Sequence, residues 1–118
     1  MEKLRVILHV SDNDRWTMAL GNATNLLKDV GDADADIVIL ANGSAVASYA
    51  FSDKMDTMEM LAEKGVKFRA CRNSLKKLCA EGTVCISESS VPAFVEVVPA
   101  GISELVRRQR EGYAYVKP

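Results

Sequence analysis

The sequence has 118 residues, 48% of them hydrophobic and 26% charged, with a net charge of −1. That length fits one domain with its own core, the composition excludes a disordered chain, and the near-neutral balance argues against a nucleic-acid binder, which at this size is usually basic. No apolar run approaches the roughly 20 residues that span a bilayer, and Met1-Glu2-Lys3-Leu4-Arg5 leads into a strand pattern rather than a signal peptide, so the expected setting is the cytoplasm, with neither membrane nor nucleic acid as a partner.

Leu4-Arg5-Val6-Ile7-Leu8-His9-Val10 is β-branched and nearly continuously apolar, the pattern of a parallel strand covered on both faces. Ser11-Asp12-Asn13-Asp14 supplies cap residues for a helix that places Trp16, Ala19, Leu20, Ala23, Leu27 and Val30 at helical spacing until Gly31 stops it. Asp32 and Asp34 make a solvated acidic turn at the end of the sheet away from Cys71. Asp36 to Leu40 is a second buried strand ending at Ala41-Asn42-Gly43, and Ser44 to Tyr49 has room for one helical turn. Asp53 caps a firmer helix with Met55, Met58, Leu61 and Ala62 on one face, where methionine reads as core filler, and Gly65 ends it.

Val66 to Cys71 alternates apolar and charged residues, which predicts a third strand nearer the sheet edge than the first two. A short helix follows through Leu75 and Leu78 to Ala80, closed by Gly82. Thr83 to Phe94 is irregular yet leaves Val84, Cys85, Ile86, Val91 and Phe94 to bury, so this loop either covers a crevice or packs on a neighbouring subunit. Phe94 to Val98 is a fourth strand. Pro99-Ala100-Gly101 turns into a helix with Ile102, Leu105, Val106 and Gln109 as its inner face, Gly112 ends it, and Tyr113 to Val116 is a fifth strand. Strand alternates with helix throughout, which predicts an α/β fold with a mostly parallel five-stranded sheet, right-handed crossovers and helices on both faces.

In such a sheet the loops after the strands converge at a crevice, here His9 to Asp14, Asn42-Gly43, Cys71-Arg72-Asn73 and Pro99 to Gly101. Only the third carries an obvious nucleophile. The unpaired N–H groups of a helix start, with Arg69 and Arg72, favour thiolate over thiol at Cys71. Lys67, Arg69, Arg72, Lys76 and Lys77 give the stretch from 67 to 77 a positive field with no acid in it, suited to anionic sulfur or phosphate groups. Asn42 and Asn73 are candidate donors to a bound anion, or plain turn and cap residues. His9, the single histidine, is either satisfied in the core or part of the site. The plain alternative for Cys71 is a buried small hydrophobe.

Cys79 shares a helical face with Leu75 and Leu78 and reads as core filler, while Cys85 sits in the irregular loop; a disulfide from Cys71 to either is left open. Three cysteines without a Cys-x-x-Cys pair, beside one histidine, argue against a disulfide framework and a structural zinc site. Position 77, where a phosphatase-type loop beginning at Cys71 would need an arginine, is Lys77. The glycine-rich nucleotide fingerprints are missing, and a receiver domain would want an aspartate where Cys71 stands.

Phe68-Arg69-Ala70-Cys71-Arg72-Asn73-Ser74, taken with the ending Val98-Pro99-Ala100-Gly101-Ile102-Ser103-Glu104-Leu105 and Gln109-Arg110-Glu111-Gly112-Tyr113-Ala114-Tyr115, resembles the DsrE/DsrF-like family of small sulfur-relay proteins over nearly the whole chain. The resemblance implies one DsrE-like domain over residues 1–118, a three-layer α/β/α fold, homotrimers or hexamers, and a cysteine, here Cys71, that carries sulfur as a persulfide beside donor and acceptor proteins. No cofactor is expected. The expected function is therefore a sulfurtransferase-like sulfur carrier: Cys71 passes its sulfur to a partner thiol, Arg69 and Arg72 lower its pKa, helix N–H groups and Asn73 hold the terminal sulfur, and Asn42 and His9 line the site. Two alternatives from other classes remain: a non-catalytic oligomeric protein whose Cys71 only packs and whose Thr83 to Phe94 loop makes subunit contacts, and a small-anion or nucleotide binder using the same crevice.

Overall fold

A computed structural model describes residues 2–118. Its elements are β1 (Leu4–Val10), α1 (Trp16–Val30), β2 (Ala35–Ala41), α2 (Met55–Glu63), β3 (Lys67–Cys71), α3 (Arg72–Ala80), β4 (Val95–Val98), α4 (Gly101–Arg110) and β5 (Ala114–Val116). The five strands form one sheet, parallel throughout, in the order β4-β3-β2-β1-β5. From β1 to β4 the chain steps in one direction, so right-handed crossovers put α1, α2 and α3 on one face. It then returns past β1 to β5, and the reversal puts α4 on the other face.

The two faces are unequal. The larger core packs Trp16, Leu20, Leu27, Met58, Leu61, Leu75 and Leu78 from the three helices onto Leu8, Ile37, Ile39 and Phe68. The smaller holds Ile7, Val38, Leu40 and Val98 under Leu105 and Tyr113. A 3-10 helix over Gly43–Tyr49 seats Ala45, Val46 and Tyr49 in the interior, and the Trp16 indole N–H donates to the Ala45 carbonyl at 2.9 Å, so the largest buried side chain is both packed and satisfied. No described helix is long and apolar enough to cross a membrane.

Three local expectations are corrected. β3 lies one strand in from the edge, as β1 does; its charged positions face the α4 side, where Lys67 meets Asp36 at 3.7 Å and Arg69 meets Glu96 at 2.9 Å. Asp53 does not cap α2; it pairs with Lys54, and the Ser52 hydroxyl takes the Lys54 N–H. On α4 the inner face is Gly101, Glu104 and Leu105 rather than the Ile102 and Val106 stripe, which is 68% and 47% exposed. The i,i+4 pair Glu104–Arg108, at 3.0 Å, turns inward because Arg108 lies over the Tyr113 ring, and that rotation carries Ile102 and Val106 outward.

The Tyr113 hydroxyl donates to Asp36 at 2.7 Å and so ties β5 to the start of β2. Burial alone would raise the Asp36 carboxyl, but the Tyr113 hydrogen bond and the Lys67 charge outweigh it and hold the group below its usual range. A carboxyl depressed in the folded state contributes stability above its unfolded pKa of about 3.9 and loses it as the pH falls through the folded value. Tyr113→Phe is therefore expected to narrow the gap between urea midpoints at neutral and acid pH, by less than about 1 kcal/mol for so exposed a network.

Candidate functional site

Cys71 is the last residue of β3 and the N-cap of α3, at φ −75° and ψ 118°, so the chain passes from strand to helix on the thiol-bearing residue. Phe68 and Ala70 point into the larger core, and alternation sends Cys71 to the opposite face, where α4 begins. Its Sγ accepts the N–H of Gly101, the first residue of α4, at 3.3 Å. Two helix starts thus converge on one sulfur, whose residue is 5% exposed.

Burial pushes the Cys71 thiol up; hydrogen bonding to the Ser74 hydroxyl and to the backbone N–H groups of Ser74, Gly101 and Asn73 outweighs it, and the thiol titrates below its ordinary value. Of these, the Gly101 N–H has full hydrogen-bond geometry, while the α3 groups support the thiolate from looser positions. The Ser74 Oγ also accepts the Gly43 N–H at 2.8 Å, which polarises its hydroxyl toward the sulfur. Ser74→Ala removes the largest of the favourable groups and is expected to raise the Cys71 pKa, read as a rightward shift in the pH profile of iodoacetamide alkylation.

Two glycines make this convergence sterically feasible. Gly43 has φ +55°, and a Cβ on it would stand 2.7 Å from the Ser11 carbonyl oxygen, so the loops after β1 and β2 touch backbone to backbone. A Cβ on Gly101 would lie 3.3 Å from Leu40 Cδ2, 3.4 Å from Cys71 Cβ and 3.6 Å from Asn42 Cβ. Asn42 and Cys71 therefore flank the start of α4 together.

His9 stands on the same face at the end of β1. Its Nε2 lies 2.9 Å from Asn42 Oδ1 and its Nδ1 2.6 Å from the Tyr115 hydroxyl. An amide oxygen only accepts, so Nε2 carries the proton, and in the neutral ring Nδ1 accepts from Tyr115. The row Tyr115, His9, Asn42 leads across the sheet to Gly101 and fixes which end of the Asn42 amide faces the histidine.

The arginines are placed differently from the expectation. Arg69 pairs with Glu96 at 2.9 Å, and Arg72 forks Glu88 through Nε and Nη2 at 3.0 and 2.8 Å. Neither is among the groups that lower the Cys71 thiol; helix amides and the Ser74 hydroxyl do that instead. Of the five cations read from residues 67 to 77, Lys67 and Lys77 are also paired, to Asp36 and to Glu81 one helical turn on, and Lys76 has no salt-bridge partner among the described residues. Asn73 acts through its backbone N–H, its side chain being exposed.

Cys79 is not core filler: it is joined to Cys85 in a disulfide that ties the end of α3 to the following loop. Cys71 is the free thiol. Ser74, Gly43 and Gly101 carry no individual site expectation from the sequence, although each lies within or beside a stretch singled out there. A glycine opening a helix with two residues between it and the preceding strand, as Gly101 does, is the sequence signal from which the close approach could have been read.

Among solved structures, MTH1491, a protein of unknown function from Methanobacterium thermoautotrophicum, is similar at 29% identity with a TM-score of 0.84, over 98% of this chain and 100% of its own. No curated protein matches the sequence. The parallel five-stranded sheet with helices on both sides is shared with that neighbour, residues 6–118 match the DsrE/DsrF-like family, and the chain belongs to that family.

Proposed function

We propose that this protein is a sulfur carrier in which Cys71 transiently holds a persulfide and passes it to a partner thiol, a role in keeping with its family. The observation that carries the reading is the Gly101 N–H on Cys71 Sγ at 3.3 Å, where the starts of α3 and α4 together favour a sulfur anion. In loading, the Cys71 thiolate attacks the sulfane sulfur of a donor persulfide. A new S–S bond forms, the old one breaks, and the donor leaves as a thiolate. In unloading, an acceptor thiolate attacks the terminal sulfur and Cys71 is released as thiolate.

The low exposure of Cys71 suits a carrier as well as a packed thiol, because a persulfide sets its transferable atom about 2 Å beyond Sγ. Asn42, its oxygen engaged by His9, supplies amide N–H donors for that terminal sulfur, while Tyr115 and His9 orient it. The test is incubation with a persulfide donor followed by intact mass: one added sulfur that an acceptor thiol removes is expected, and no gain on the native protein would discard the reading.

The proposal further places the chain in the cytoplasm as one DsrE-like domain of a homo-oligomer, a trimer or hexamer, that meets sulfur donor and acceptor proteins. The outward Ile102 and Val106 ridge on α4 supports assembly, since single soluble chains seldom leave neighbouring large apolar residues on one helix face uncovered. Ile102→Asp is expected to lower the mass in solution by light scattering without unfolding the chain. The 5% exposure of Cys71 equally favours the second reading, an assembly protein whose thiol only packs, and the pH profile of Cys71 alkylation separates the two.

A further inference from the structure

The Cys79–Cys85 disulfide joins the C-terminal end of α3 to the loop that follows, whereas Cys71 stands at the start of that helix. Its two cysteines are six residues apart in sequence, so it closes a small loop and constrains the unfolded chain little compared with a long-range bridge. Its stabilising effect is therefore about half that of a bridge closing a loop of about 100 residues. Leu75 and Leu78 already anchor α3 in the larger core. The disulfide lies in the wall of an open groove of about 600 Å³ that Arg72, Lys76, Ile86 and Glu88 also line. Cys85 is exposed and Cys79 half-buried, and exposed disulfides are the ones open to thiol exchange.

We infer that Cys79 and Cys85 form a second thiol-chemistry site, a dithiol–disulfide couple that accepts two electrons from a dithiol entering this groove. The incoming thiolate attacks the exposed Cys85 Sγ. The Cys79–Cys85 bond breaks as a mixed disulfide forms, and Cys79 leaves as a thiolate that then takes up a proton. Lys76, one helical turn before Cys79 and on the same groove, stabilises that leaving thiolate. The second thiol of the dithiol, deprotonated, attacks its own sulfur in the mixed disulfide and releases Cys85. The dithiol ends oxidised to a disulfide, and Cys79 and Cys85 end reduced. None of these steps uses Cys71.

The test is native wild-type protein treated with dithiothreitol without denaturant, quenched with iodoacetamide and mapped by peptide mass, with Cys71→Ser run beside it so that failure of sulfur carriage leaves the result readable. Before dithiothreitol, Cys79 and Cys85 are expected to take no label; after it, both take one each while the far-ultraviolet circular dichroism is unchanged. Lys76→Ala is expected to slow the reduction severalfold, an effect that added salt erases in the wild type. A catalytic amount of reduced thioredoxin that accelerates the reaction identifies a protein dithiol as the source of electrons, and its indifference identifies a small one. Label on both cysteines before any reductant, or label only once denaturant is added, overturns the inference.

Discussion

Cys71→Ser protein incubated with a persulfide donor is expected to gain no sulfur, a complete loss relative to wild type. A serine hydroxyl stays protonated in water near neutrality and forms no S–S bond, so the cradle of amides has no nucleophile to stabilise. No other thiol takes over while Cys79 and Cys85 stay bonded to each other, which an iodoacetamide peptide map of the same sample checks. The fold is expected to survive: the replacement is close in size, and the Gly101 N–H that reached Sγ finds a hydroxyl oxygen in its place. Intact mass reads the sulfur, and circular dichroism on the same sample shows that the loss is chemical rather than structural. An equal gain on the serine variant would move the carried sulfur away from this site.

Gly43→Ala is expected to cost about 3 kcal/mol of stability, read from the urea midpoint. Part of that is the left-handed backbone at φ +55°, which disfavours any Cβ. The larger part is the 2.7 Å approach of that Cβ to the Ser11 carbonyl oxygen, a backbone atom held by the β1 loop with no flexible end to yield. Gly65→Ala separates the two effects: it also has positive φ, at +101°, but its Cβ would meet nothing, so only about 1 kcal/mol is expected. Moving the Gly43 loop also draws its N–H away from Ser74 Oγ, so the surviving folded fraction should show a Cys71 thiol that titrates higher than wild type.

The strand and helix sequence was readable because β1 and β2 are continuous apolar runs and α1 has a clean helical stripe, patterns that depend on neighbours along the chain. The place of Cys71 at a strand end and helix start was readable for the same reason. What escaped depends on partners far along the chain. Arg69 and Arg72 look like free cations beside a thiol until Glu96 and Glu88 are brought onto them by β4 and the preceding loop. The face of α4 was misjudged because Glu104 and Arg108 satisfy each other and turn inward, a choice that hydrophobic periodicity cannot register. The Cys79–Cys85 pairing depends on the path of an irregular loop with no period to follow. The sulfur-stabilising groups are mostly backbone amides, which every residue carries and no sequence pattern distinguishes.

The pH dependence of Cys71 alkylation tests the reactive thiolate most directly, with rates followed by mass on native protein and on Ser74→Ala. A midpoint below the free-thiol value of about 8.5 is expected for wild type, with Ser74→Ala displaced upward. A wild-type midpoint at or above the free value, unmoved by Ser74→Ala, would contradict sulfur carriage at Cys71 and leave a packed thiol in a DsrE/DsrF-like fold.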